Sequence, residues 1–188
     1  MTNLASERYL KRQENCEKFV RYLMRLRDGD NGRAAMAVLR RSVGKTPEEA
    51  YEANRYLAKW VSGDDPKHLW TRHTRFLIAS LFGVYPDQVV EEGSLGTHLA
   101  ALCMERDGFR AAAVERHLKR LLSADRDDLG RHLHYVIRML QAKDKRVNWA
   151  QLMNDVLAWR TPESALRVKY RWSQDFWSAV PEDQINKD

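Results

Sequence analysis

The stretch Val114-Glu115-Arg116-His117-Leu118-Lys119-Arg120-Leu121-Leu122-Ser123-Ala124-Asp125-Arg126-Asp127-Asp128-Leu129-Gly130-Arg131-His132-Leu133-His134-Tyr135-Val136-Ile137-Arg138-Met139-Leu140 decides the fold class, because it writes one helical period twice across a polar turn. Val114, Leu118, Leu121 and Leu122 recur at three- and four-residue steps and predict one apolar stripe; Leu129, Leu133, Val136, Ile137 and Leu140 predict a second. Residues three and four apart share a helix face, so burying these stripes turns Arg116, Lys119 and Arg120 outward together, and Arg131, His134 and Arg138 likewise. Arg126 falls in the turn between them. Guanidinium groups on such a ridge suit a polyanion: the planar fork makes paired hydrogen bonds to phosphate and stacks on an unpaired base. A plainer reading has these cations pairing with Glu115, Asp125, Asp127 and Asp128 as ordinary surface ion pairs.

Outward from this stretch the helical signals continue. Thr46-Pro47-Glu48-Glu49 offers a capping hydroxyl, a proline at the first helical position and a glutamate reaching back, which predicts a helix over 47–62. Asp65-Pro66 and Thr161-Pro162 repeat the device for helices over 66–82 and 162–178. Further helices are predicted over 6–27, 32–42, 95–106, 109–124, 127–142 and 148–159. No stretch sustains the two-residue alternation of a half-buried strand. The expectation is an all-α chain of two packed helical bundles, eight or nine helices and no sheet. The loop from Gly83 to Gly93, with Pro86 and Glu91-Glu92, marks the seam between an N-terminal half, 1–90, and a C-terminal bundle, 91–180. A polar tail over 181–188 is expected to fray.

With 188 residues, 44% of them hydrophobic and 31% charged, the chain has material for a real core and reads as soluble and globular. The longest apolar run, near Phe76 to Phe82, is far short of a membrane span. Glu7, Arg8, Lys11 and Arg12 stand where a signal peptide needs apolar residues, so the reading is a cytoplasmic chain. Cys16 and Cys103 are too few for a disulfide framework and sit in apolar helical settings, as buried free thiols do. The net charge of +6 is unevenly spread. Residues 1–45 hold 11 basic and 5 acidic side chains, 46–108 hold 6 and 10, and 109–188 hold 15 and 11. Two basic ends around an acidic middle are expected of a chain that meets a polyanion on one face and something else on another.

The basic N-terminal segment has two parts. The first helix carries Lys11, Lys18 and Arg25 at heptad spacing opposite Tyr9, Cys16, Phe19, Val20 and Leu23; such a stripe fits a solvated face over a core, a partner's groove or a membrane surface. Asp30-Asn31-Gly32-Arg33-Ala34-Ala35-Met36-Ala37-Val38-Leu39-Arg40-Arg41 then opens from a polar turn into a short helix whose non-apolar face is nearly all arginine.

Signs of catalysis are sparse. His132 and His134 diverge on a helix, and His68 and His73, five apart, lack the glutamate of a zinc protease motif. There is no cysteine pair, phosphate loop or nucleophile elbow. The acids mostly alternate with bases instead of converging as a nuclease's metal site requires, so neither metal nor cofactor is expected. Trp149, Leu152, Val156 and Trp159 recur as one buried helix face, packing in preference to stacking on bases. Trp177, near a chain end, is expected to be partly exposed at a protein contact.

Taken in order, Asp30 to Arg41, Ser94-Leu95-Gly96, Arg120 to Arg126 through Arg138-Met139-Leu140, Asn148-Trp149 to Trp159, and Arg171-Trp172-Ser173-Gln174-Asp175-Phe176-Trp177 resemble the CasB family, the small subunit of the type I-E CRISPR Cascade complex. The resemblance implies a non-catalytic, all-helical protein working as two copies in an RNA-guided antiviral complex. It implies contacts to guide RNA and target strand, support of the displaced DNA strand, and association with backbone and large Cascade subunits. Arg33, Arg40, Arg41, Arg126, Arg131 and Arg138 match basic positions of the family's motifs. His132, His134, Asp127 and Asp128 depart from that pattern. A helical adaptor docking acidic protein partners is the other reading, and a small nuclease a third.

Overall fold

A computed structural model describes residues 4–61, 68–104 and 110–180, with the side chains described from residue 7. Among these residues are nine helices: α1 (Leu4–Asp28), α2 (Gly32–Arg41), α3 (Tyr51–Val61), α4 (Leu69–Val84), α5 (Leu95–Ala100), α6 (Ala111–Ser123), α7 (Leu129–Ala142), α8 (Trp149–Ala158) and α9 (Pro162–Ala179). No strand occurs among them, only an isolated bridge between Val89 and Val147. The all-α expectation is therefore met. The chain folds as two compact units, one of residues 1–86 with 149–157, the other of 87–148 with 158–188.

In the first unit, α1 buries Cys16, Phe19, Val20 and Leu23. Tyr9, expected on that apolar side, is instead 39% exposed, and its hydroxyl points to Gln151 of α8. α2 lies against α4, and Gly83 makes the approach close: a Cβ there would stand 2.7 Å from the Arg40 nitrogen and 2.7 Å from the Leu39 Cβ. α8 supplies Trp149, fully buried and edge-on to Phe82 at 5.5 Å between centroids. The buried Asn154 of α8 is satisfied from α1, taking a hydrogen bond from Arg12 and giving one to Gln13 at 2.7 Å. Trp70 donates to the carbonyls of Val156 and Leu157, 3.2 Å each.

The Thr46 capping box forms, but it closes a single turn. Thr46 N–H donates to Glu49 Oε2 at 2.8 Å and Glu49 N–H to Thr46 Oγ1 at 3.3 Å, while the Thr46 carbonyl accepts from both Glu49 and Ala50. That shared carbonyl tightens residues 47–50 into a turn, and the regular helix starts at Tyr51, four residues later than the cap predicts. The Asp65-Pro66 start lies outside the described residues, as does the tail over 181–188.

In the second unit, α5 and α9 meet at Gly96, where a Cβ would fall 2.1 Å from the Trp172 carbonyl oxygen, so only glycine permits the approach. Ser94 caps α5 through Thr97 N–H and donates to Asp175 of α9. Thr161 caps α9 through Ser164 N–H, with Pro162 in the first turn as expected. Trp159 packs on Trp172 at 5.2 Å. α5 is shorter than predicted because the bonds after Ala100 tighten to a three-residue span, Leu102 to Leu99 and Cys103 to Ala100. The Asn148 N–H donates to His98 Nε2 at 3.1 Å, and burial of that imidazole pushes its pKa down to about 4. Cys16 and Cys103 are buried and unbridged; burial raises their thiols to about 12 and about 11.

Candidate nucleic-acid interface

α2 buries Ala35, Met36 and Leu39, leaving Arg33, Arg40 and Arg41 exposed. Arg33 and Arg40 are seven apart, two helical turns, and share a face; Arg41 turns toward α3 and lies 3.7 Å from Glu52. Arg40 and Arg41 are in the last turn, where the helix dipole favours cations, but Arg33 is in the first turn, where it disfavours them. The fold gains nothing from a cation at residue 33.

On the second unit, α6 buries Ala111, Val114, Leu118 and Leu121, and α7 buries Leu129, Leu133, Val136, Ile137 and Leu140. Only Leu122 departs from the expected stripes, being half-buried. Arg116, Lys119, Arg120, Arg126, Arg131 and Arg138 are all exposed. α6 packs directly on α7. His117, a residue that the apolar pattern alone does not single out, lies near Arg120 and Arg116 of its own helix and His132 of α7: burial first, then their charges, hold its imidazole below the usual value.

The acids nearby have structural work. Asp125 Oδ1 accepts from the N–H groups of Asp127 and Asp128, 3.0 Å each, fixing the turn between the helices. Asp128 then sits at the α7 N-terminus, where the dipole favours a carboxylate, and pairs with Arg131 at 2.7 Å. Lys119 pairs with Glu115 at 2.6 Å, and Arg126 donates to the Arg160 carbonyl at 2.6 Å. The plainer reading of the sequence thus holds for Lys119 and Arg131. The Arg131–Asp128 pair is exposed on both sides, and exposed pairs contribute only about 0 to 1 kcal/mol, so Asp128 does not compete strongly with a phosphate. Arg116, Arg120 and Arg138 have no ion-pair partner among the described residues. No group of three or more His, Cys, Asp or Glu among those residues is arranged to hold a metal ion.

The family model for CRISPR-associated protein Cse2 matches residues 35–177. The chain belongs to the Cse2 family. A Cse2 protein of Thermus thermophilus is 26% identical over 171 residues, covering 91% of this chain and 95% of the relative. The crystal structure of CasB from Thermus thermophilus has a TM-score of 0.72 at 26% identity, covering 87% of this chain and 97% of that one. A chain of a CRISPR RNA-guided surveillance complex has the same fold, with a TM-score of 0.74, 24% identity, and coverage of 90% and 95%. The resemblance to the Cascade small subunit read from the ordered motifs is thereby established. The match spans α6 and α7 whole and starts inside α2, so Arg40 and Arg41 fall within it and Arg33 just before it.

Proposed function

We propose that this chain is the small subunit of a Cascade surveillance complex, a non-catalytic cytoplasmic protein that holds nucleic acid by charge and shape. It serves as two copies beside the backbone and large subunits, contacts the guide RNA and target strand, and steadies the displaced DNA strand. The observation that carries this reading is the exposed face of α6 and α7, with Arg116, Arg120 and Arg138 unpaired in a Cse2-family chain. Arg33, Arg40, Arg41, Lys119, Arg126 and Arg131 complete the proposed phosphate contacts. Strand exchange in an R-loop is nearly balanced in energy, so a few backbone contacts decide its direction, while base pairing with the guide reads the sequence.

The test is a titration of the full chain with single- and double-stranded nucleic acids. Backbone contacts alone predict dissociation constants of about 10⁻⁴ to 10⁻⁶ M at physiological salt, with a steep salt dependence and slight sequence preference. Tight, sequence-selective binding would contradict the charge-and-shape reading. No nucleic-acid binding, with capture of acidic proteins instead, would favour the adaptor. Cleavage of labelled strands in Mg²⁺ or Mn²⁺ would make the chain a nuclease.

A further inference from the structure

The cationic face of α7 also contains an aromatic ring that the helix does not use. Tyr135 is 56% exposed although α7 buries five apolar residues on its other side. Its hydroxyl has no hydrogen-bond partner among the described residues. Single exposed aromatics are common and need no explanation by themselves. What distinguishes Tyr135 is its company: Arg131 lies four residues before it and Arg138 three after, so an arginine stands one turn to each side of it on the same helix face. The rises are about 6 and 4.5 Å along the helix axis. The other strongly exposed tyrosines lack this arrangement. Tyr170, 70% exposed, has Leu166 at the earlier position and Ser173 at the later; Tyr51, 73% exposed, has Pro47 and Asn54.

We infer that Tyr135 is a stacking platform for one unpaired base of a single nucleic-acid strand, with Arg131 and Arg138 holding the phosphates on either side of that base. Every base presents a π-face, so such a platform adds affinity without reading sequence. The neighbouring ring of His134 lies nearly parallel to Tyr135, 25° between planes and 6.3 Å between centroids. Burial, then the charge of Arg138, holds His134 below its usual value. This inference rests on the nucleic-acid reading above and narrows it to a substrate with splayed bases, since a paired base keeps both faces stacked inside its duplex.

The experiment compares a labelled oligothymidine strand with an abasic strand of equal length, each titrated at low salt against the full wild-type chain and its Y135A, Y135F and R131A/R138A variants. Far-UV circular dichroism and a thermal melt first confirm that each variant is folded. Wild type is expected to bind the base-bearing strand about ten-fold more tightly than the abasic one, a margin set by one stacked base. Y135A should lose most of that margin with abasic binding unchanged, Y135F should keep it, and R131A/R138A should weaken both strands. If Y135A keeps the whole margin while R131A/R138A weakens both strands, the platform is refuted and the charge reading stands. If wild type binds neither strand, both fall. If Y135A binds both strands normally but fails to co-assemble with Cascade subunits, Tyr135 is a protein contact and the platform is wrong.

Discussion

Exposed arginines add charge to α6 and α7 while contributing little to their stability, and that separates binding from folding at the level of single residues. Replacing Arg126, Arg131 and Arg138 together by alanine should leave the melting temperature nearly unchanged. If each meets one phosphate of a single strand, the slope of log K against log salt should fall by about 2, from roughly 0.7 per lost contact. A salt titration of wild type and the triple variant measures this directly; an unchanged slope would place the patch against solvent or protein. The tryptophans behave oppositely. Trp149 is fully buried on Phe82 and Trp159 is buried on Trp172, so W149A or W159A should cost about 3 to 5 kcal/mol in chemical denaturation, with binding lost only as the fold is lost. The exposure of these arginines and the burial of these tryptophans were legible in the sequence, because a three-and-four spacing of large apolar residues sorts a helix into inside and outside. His98 was not. Its low pKa comes from burial, in a place where the loop from 50 residues away brings the Asn148 N–H to its ring. The folded value of about 4 lies below the ordinary 6.5, so the unfolded chain binds more protons between the two. Stability from this group is therefore full above pH 6.5 and is lost as pH falls toward 4, on the order of 3 kcal/mol in total. H98Q, which can still accept from Asn148, should flatten the melting-temperature profile across that window.

At the scale of elements, two glycines set how closely helices approach. Gly83 lets α4 touch the backbone of α2 at Arg40, and Gly96 lets α5 touch that of α9 at Trp172. G83A and G96A should each cost about 1 to 3 kcal/mol as the helix pair is forced apart, which differential scanning calorimetry would resolve. G83A should also weaken nucleic-acid binding, since it shifts the helix bearing Arg33, Arg40 and Arg41, whereas G96A should not act on that helix. The motif around Gly96 could be quoted from the sequence, but its reason could not: a missing Cβ becomes meaningful only when the opposing carbonyl is known. Helix starts show the same limit. Thr161-Pro162 and Thr46-Pro47 look alike as residue strings, and both caps form, yet only the first leads straight into regular helix. At Thr46 one carbonyl serves two amides, and no local residue pattern announces that.

For the whole molecule, the uneven charge of the sequence becomes arginine faces borne on helices whose opposite sides form the core. His117 shows why part of the site stayed hidden: it occupies an unremarked position on α6, and only the packing of α7 brings His132 near it. Fold class and the cationic ridges were readable because both follow from periodicity within single helices. The packing of α6 on α7 follows from contacts between helices, which periodicity does not contain. The two cysteines carry a practical consequence of this packing. Their raised thiols leave almost no thiolate at neutral pH, so native protein should react negligibly with a maleimide, and both sites should label once it is denatured. A single cysteine introduced in place of exposed Ser123 or Ala142, beside the arginine ridges, would then be the one reactive handle on the chain. A fluorophore or photo-crosslinker could be mounted there to report which strand passes by, with the chain's own sulfurs left in place.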